Sequence, residues 1–353
     1  MVYAVGAQSD KPLNIPGEDL PGSIAAVDFV GWYNAHPNFE HAAPDLSGAR
    51  AVVVGNGNVA IDVARILVTD PEVLACTDIA DHALESLRPC GVREVVLVGR
   101  RGPLQAAFTT LELRELGELE GRRGGRPGPA GGHQRRGRGG GRQDRQAEHQ
   151  GAARLCPARA PRRPPSDCVP VHDFPIEIRG DGRVEQIVLG RNELVADESG
   201  WVSARDTGER EELPAQLVVR SVGYRGVPTP GLPFDEKRGT IPNTAGRVEG
   251  SRNEYVVGWI KRGPTGVIGT NKKDSQDTVD TLIADLAATE ALTEFPPDHG
   301  EQLAAWLASR QPQLVTTAQW KIIDRFERAA GEPHGRPRVK LPNLAELLRV
   351  GHG

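Results

Sequence analysis

The chain has 353 residues, 38% of them hydrophobic and 25% charged, with a formal net charge of −4. That length leaves room for two domains with well-buried cores, and the composition is that of a soluble globular protein. No apolar run approaches the ~18 residues of a membrane span and no signal-peptide layout opens the chain, so neither a membrane partner nor export is expected and a cytoplasmic location is the default. Cys76, Cys90, Cys156 and Cys168 form no CxxC or His/Cys cluster, which argues against both a metal site and a disulfide framework.

In chain order, residues 2–7 read as a short buried strand that ends in a glycine turn. A Pro- and Gly-rich connection follows through Asn14-Ile15-Pro16-Gly17. An apolar strand over 49–54 then runs straight into Gly55-Asn56-Gly57-Asn58-Val59-Ala60, and residues 61–67 carry a helical pattern. This order suits a dinucleotide. Gly55 permits the tight turn, Gly57 lets backbone approach a pyrophosphate, and the small Ala60 lets the helix pack on the strand. The phosphates then sit at the positive end of the new helix. Taken alone, such a hexapeptide is as often an ordinary strand-turn-helix corner.

The next strand, Val95-Val96-Leu97-Val98-Gly99, is followed by Arg100-Arg101-Gly102-Pro103. In this fold the end of that strand reaches the adenosine ribose. An acidic residue there suits the free 2′-hydroxyl of NAD, and guanidinium groups suit a 2′-phosphate, so paired arginines without an acid predict NADP(H). The plainer alternative is two solvated surface arginines. The gap between glycines and arginines exceeds the roughly 20 residues usual for the motif. Residues 69–90 are therefore expected to be a helical insertion, with Ile79, Ala80, Ala83, Leu84 and Leu87 at helical spacing.

Residues 121–170 change character. They hold 12 Arg and 11 Gly but no Lys, Ile, Phe, Tyr, Trp or Met. Their formal charge is +9, which leaves −13 on the remainder. So polar a stretch cannot offset its ordering entropy by burial and is expected to be disordered. A nucleic-acid-binding arm lacks the interleaved aromatics it needs, so no nucleic-acid partner is expected. A natural linker is a second possibility. The residue bias and the abrupt edges favour a translated wrong reading frame closed by a compensating shift.

Beyond it, Ile176, Ile178, Val184, Ile187 and Leu189 alternate around Gly180-Asp181-Gly182, a hairpin signal. Residues 216–224 repeat the first strand's design, an apolar run closed by Val-Gly, and suggest a second similar nucleotide domain. Then come Tyr255-Val256-Val257-Gly258-Trp259, a loop with Gly263, Gly266 and Gly269, and an amphipathic helix over 274–288. A glycine loop before a helix can present N–H groups and a positive dipole to the pyrimidine end of a flavin, although by itself it is more often a turn. Helices over 301–308, 316–330 and 343–348 read as packing and cap.

With these pieces placed, the chain resembles the adrenodoxin-reductase-like ferredoxin–NADP+ reductases of the glutathione-reductase fold. The matching residues run from Gly55 to Arg65, from Val98 to Pro103, from Phe108 to Leu116, from Gly258 to Gly269 and from Gly335 to Lys340. The resemblance covers residues 1–119 and 174–353. It implies an α/β fold, with a doubly wound NADP-binding domain and a partial FAD-binding domain of the glutathione-reductase type. It also implies that FAD takes hydride from NADPH and passes single electrons to ferredoxin.

By resemblance, Gly55, Asn56, Gly57, Asn58 and Val59 hold the pyrophosphate, Arg100 and Arg101 the 2′-phosphate, and Glu112 neighbours a ribose or phosphate. Glu115 matches an acidic residue that assists hydride or proton handling near the flavin and nicotinamide; a solvated helix carboxylate is the equal alternative. Trp259, Gly266, Val267 and Ile268 match the flavin-contacting stretch, with Gly266 also near the nicotinamide. The expected layout is residues 1–44 as a remnant strand of the FAD domain with its connection, 45–224 as the NADP(H) domain, and 225–353 as the C-terminal half of the FAD domain. The family's first Gly-x-Gly-x-x-Gly turn, which anchors the FAD pyrophosphate, precedes the position of Met1 and is missing here, as is the family's flavin-side histidine. The alternative function is therefore an NADP(H)-binding fragment without turnover.

Overall fold

The computed structural model describes residues 1–100, 123–124, 155–156, 173–199, 202–266, 268–288 and 298–353. The frame-shift and disorder expected over 121–170 thus fall almost wholly outside the described residues. The chain divides into two compact units: Pro12–Val222 with Trp320–Gly353, and Met1–Lys11 with Gly223–Gln319.

The larger unit is built on parallel strands Arg50–Val54, Glu94–Val98, Leu217–Arg220 and Ser23–Ala25. The Leu217–Arg220 strand lies between Ser23–Ala25 and Arg50–Val54, with Val219 opposite both Ile24 and Val53. The second Val-Gly strand thus lies in the same sheet as the first, with Val218 and Val219 as fully buried as the strand beside them. Two-residue strands Arg123–Gly124 and Leu155–Cys156 extend the sheet beyond Glu94–Val98.

The near-continuous apolar runs of these strands reflect burial on both faces, as parallel sheets require. On one face Ala51, Val53, Val95 and Val219 meet the helices Ala26–Tyr33 and Asn58–Val68, through Phe29, Trp32, Ile61 and Val63. On the other, Val52, Val54, Val96 and Val98 meet Ile178, Ile187, Leu189 and Leu213. Those last residues belong to a three-stranded antiparallel sheet, Asp173–Arg179, Gln186–Ala196 and Val202–Pro214. Its first two strands are the expected hairpin. The third escapes the alternation rule because ten of its thirteen residues are exposed and six are charged.

The insertion between the first two motif strands folds as the short helices Pro71–Leu74 and Asp81–Leu87, with Ala83, Leu84 and Leu87 buried. Far along the chain, Arg336 reaches back to it: its guanidinium binds the Thr77 and Ile79 carbonyls and pairs with Asp81.

The smaller unit has little regular sheet. Val2–Tyr3 pairs in parallel with Tyr255–Val256, which continues to Arg247–Val248 and Asn243–Thr244. The opening strand is shorter than residues 2–7 and not buried, since Val2 is 43% exposed. The long helix of this unit, Ile268–Ala288, starts six residues before the expected 274. Among the described residues no helix is long and apolar enough to cross a membrane.

Candidate functional site

The glycine turn after Arg50–Val54 is fixed by the chain itself. Gly55 sits at φ +132°, a conformation side-chain-bearing residues rarely adopt, and a Cβ there would lie 2.1 Å from the Ser221 carbonyl oxygen. Its N–H donates to the Val98 carbonyl at 2.8 Å, which ties the turn to the end of the next strand. Gly57 is different. It precedes the helix Asn58–Val68 at φ −97°, an ordinary conformation, and a Cβ there would meet nothing within 4 Å.

No side chain caps that helix at Gly57, so its first turn lacks the usual side-chain acceptor for its N–H groups. Ala60 is fully buried where the helix crosses the sheet. Asn58 and Val59 open the helix with partly exposed side chains. Asn56 leans on the backbone of Gly99: a Cβ on Gly99 would come within 2.7 Å of the Asn56 Nδ2.

Arg100 follows Gly99 with an exposed side chain. The glycine turn and the start of the arginine pair thus lie side by side at the carboxyl ends of adjacent parallel strands, where open α/β sheets place ligands. Arg101, Glu112 and Glu115 lie outside the described residues. The Arg100 carbonyl accepts a hydrogen bond from Asn192 Nδ2 at 3.1 Å. Asn192 is 7% exposed and sits on the antiparallel sheet. Sequence reasoning did not find it; the one signal was an amide between charged neighbours on a strand, which also describes any satisfied buried asparagine.

Close by in sequence register, Asp173 pairs across the ladder with Arg191. Its carboxylate is 2% exposed and neither oxygen has a hydrogen-bond partner among the described residues. Burial raises its pKa to about 6, against the pull of Arg191 and with the help of Glu211 and Glu209.

In the smaller unit, the strand Tyr255–Val256 leads to Gly258 at φ +72°, then to the single helical turn Trp259–Arg262. Trp259 stacks on Tyr224 with ring centroids 5.7 Å apart. Its indole N–H is buried without a hydrogen-bond partner among the described residues, as are Nε and Nη1 of Arg262. The same guanidinium binds the Thr265 carbonyl and Asn271 Oδ1 through Nη2, at 2.8 and 2.6 Å. Gly263 and Gly266 take φ +93° and +82° around the bend. Val267 and the side chain of Ile268 lie outside the described residues.

Asp274 holds this loop. One oxygen accepts the Gly258 N–H at 2.6 Å and the other pairs with Lys261 Nζ at 3.0 Å, in a pair only 10% and 13% exposed. Its place six residues into a helix gave no sequence signal for that role. Orphaned buried donors beside an aromatic stack are what the edge of a flat heteroaromatic with ring carbonyls and nitrogens satisfies, so the residues present fit a flavin ring. Among the described residues no cluster of three His, Cys, Asp or Glu side chains could hold a metal ion.

A doubly wound sheet with a glycine turn, and a second unit with a glycine-bounded aromatic loop, define a two-part nucleotide-dependent oxidoreductase. The chain belongs to the NADPH-ferredoxin reductase and adrenodoxin reductase family. It is 68% identical over 359 residues to the NADPH-ferredoxin reductase FprA of Mycobacterium leprae, an alignment that takes in all of this chain and 78% of the relative. The mitochondrial NADPH:adrenodoxin oxidoreductase of Salvelinus fontinalis is 38% identical over 382 residues, covering 99% of this chain and 72% of its own. The solved structure of Mycobacterium tuberculosis FprA in complex with NADPH superposes with a TM-score of 0.84 at 63% identity, over all of this chain and 78% of that one. No protein-family model matches the sequence. These findings bear out the family and the fold class expected from the motifs.

Proposed function

We infer that the chain is an NADPH:ferredoxin oxidoreductase that works through bound FAD. The larger unit is assigned as the NADP(H) domain and the smaller as the flavin-ring side, with a cytoplasmic location as part of the same proposal. The relatives, named reductases of ferredoxin or adrenodoxin, support turnover and lend nothing to the binding-fragment alternative.

The observation that carries the nucleotide side is Gly57. Neither backbone conformation nor a neighbouring atom demands glycine there, so the demand comes from what approaches it, a pyrophosphate against the backbone. Gly55, Asn56, Asn58 and Val59 shape and flank that approach. Arg100 and Arg101 supply paired guanidiniums for the 2′-phosphate, and Glu112 is assigned as a neighbour of a ribose or phosphate.

On the other side, Trp259 and Arg262 offer buried N–H donors and Gly266 to Ile268 the entry to a helix N-terminus, whose partial positive charge favours electron density on the ring edge. Glu115 is assigned to proton handling near the two rings. Bound FAD supplies the chemistry that residues lack, accepting a hydride and releasing electrons one at a time to ferredoxin.

The test has two arms. The full chain is titrated with FAD and assayed anaerobically for NADPH-dependent ferredoxin reduction; a folded, flavin-loaded protein without turnover overturns the function. Separately, Arg100→Ala combined with Arg101→Ala is expected to weaken NADPH by about 3 kcal/mol, roughly 100-fold, and to leave NADH unchanged. An unaltered NADPH-to-NADH affinity ratio removes the 2′-phosphate assignment.

A further inference from the structure

The two halves of the nucleotide site are stitched from one side by the Gly55 N–H on the Val98 carbonyl at 2.8 Å. From the other, the chain leaving the Glu94–Val98 strand is held by a side chain of a different sheet. Asn192 Nδ2 donates to the Arg100 carbonyl at 3.1 Å. On its strand Arg191 and Glu193 point to solvent, while Asn192 turns inward and is buried. The ladder beside it is interrupted by a register shift between Asp206 and Arg210, which pair with Asn192 and Gly190 on either side.

A buried amide costs free energy unless it is bonded. Here the bond goes to the main chain at the first arginine of the pair. The orientation of that peptide sets where the Arg100 guanidinium can reach.

We propose that Asn192 is a positioning residue for cofactor choice: by holding the Arg100 carbonyl it aims the Arg100 guanidinium at the 2′-phosphate, and so favours NADP(H) over NAD(H). The proposal rests on the assignment of Arg100 to the 2′-phosphate. In this role Asn192 acts through the Arg100 main chain. Its effect is expected to fall mainly on the 2′-phosphate, because the pyrophosphate turn keeps its own main-chain ties, the Gly55 N–H on the Val98 carbonyl and the Ser221 N–H on the Val54 carbonyl.

Calorimetry of the full chain with 2′-phospho-AMP and with 5′-AMP reads this out. Asn192→Ala is expected to weaken 2′-phospho-AMP about tenfold and 5′-AMP by less than about twofold, a misplacement effect without loss of the charged groups. Asn192→Asp keeps the volume and turns the donor into an acceptor facing the carbonyl, so it is expected to weaken 2′-phospho-AMP at least as much, and it serves if the alanine variant does not fold. Equal weakening of both nucleotides, or no change in a folded variant, overturns the proposal. Arg100→Ala in the same assay separates the two layers. If it abolishes the 2′-phosphate preference and the Asn192 variants do not, the positioning role alone falls; if it leaves the preference intact, the 2′-phosphate assignment falls and takes the positioning role with it.

Discussion

The two units reach order by different means. Around the glycine turn, the larger unit packs both faces of a parallel sheet, with Phe29, Ile61, Val63, Val95 and Val96 fully buried. Among the described residues the smaller unit gathers a cluster of four buried apolar residues, Ile241, Val248, Val256 and Ile260. Its aromatic loop is held instead by polar ties: Asp274 on Gly258 and Lys261, Arg262 on Thr265 and Asn271, and Arg247 with Tyr255 on Asp285. Apolar burial is non-directional and builds a scaffold whether or not ligand is present. Polar ties hold a shape only while every partner is satisfied, and here several donors are not. The larger unit is therefore expected to be preformed, and the smaller to gain stability from what it binds.

That contrast can be broken at four places. The largest effect is expected at Gly55→Ala, where a positive φ and a main-chain oxygen at 2.1 Å leave a methyl no room. We expect a loss of about 3–5 kcal/mol in chemical denaturation, with nucleotide binding lost at the same time. A folded variant of unchanged stability would show that the turn is less fixed than described.

Next is Asp274→Ala, which strands the Gly258 N–H and a nearly buried Lys261. A cost of about 2–3 kcal/mol is expected, recovered in part when FAD is titrated in. If FAD does not raise the melting temperature of either the parent or the variant, the smaller unit is not ligand-stabilised.

Asp173 gives a smaller effect, and one that depends on pH. Its folded pKa is raised to about 6 from 3.8, so the folded state binds more protons than the unfolded between those values and stability falls as pH rises through that window. Above pH ~6 the full penalty of the buried charge is present, and below pH ~4 it is gone. The raised pKa corresponds to at most about 3 kcal/mol, and Asp173→Asn is expected to recover part of it at pH ~7.5 and nothing at pH ~4. Arg191, Glu209 and Glu211 are the charges that face it, and stabilisation that is the same at both pH values would contradict this assignment.

The smallest change in stability is expected at Gly57→Ala, within about 0.5 kcal/mol of the parent because the site is open and the backbone ordinary. Nucleotide affinity is nonetheless expected to drop about tenfold, as a methyl meets phosphate. Unchanged affinity would deprive the nucleotide assignment of its best support.

Much of the larger unit was legible in the sequence. Gly55, Gly57 and Ala60 follow an apolar strand at fixed spacing, and local chemistry of that kind survives translation into structure. The 176–189 alternation also read as the hairpin it is. What could not be read depends on partners distant in sequence. Val218 and Val219 repeat the first strand's design, and only the sheet shows that they lie beside Val52 and Val53. Asn192, Asp173 and Asp274 draw their significance from burial and from single contacts, which no spacing encodes. The Val202–Pro214 strand was silent because its side chains face water and lack period-two contrast.

The Arg336 clamp has a consequence for biosynthesis. It joins Thr77, Ile79 and Asp81 to a residue more than 250 positions later, in a unit whose two stretches are separated by Gly223–Gln319. A ribosome delivers the sheet and its insertion, then Gly223–Gln319 of the other unit, and only afterwards the arginine that locks the insertion. Until that residue emerges, the nascent sheet carries an unclosed seam over Thr77–Asp81, and a chaperone or protease that recognises incomplete chains has its longest opportunity there.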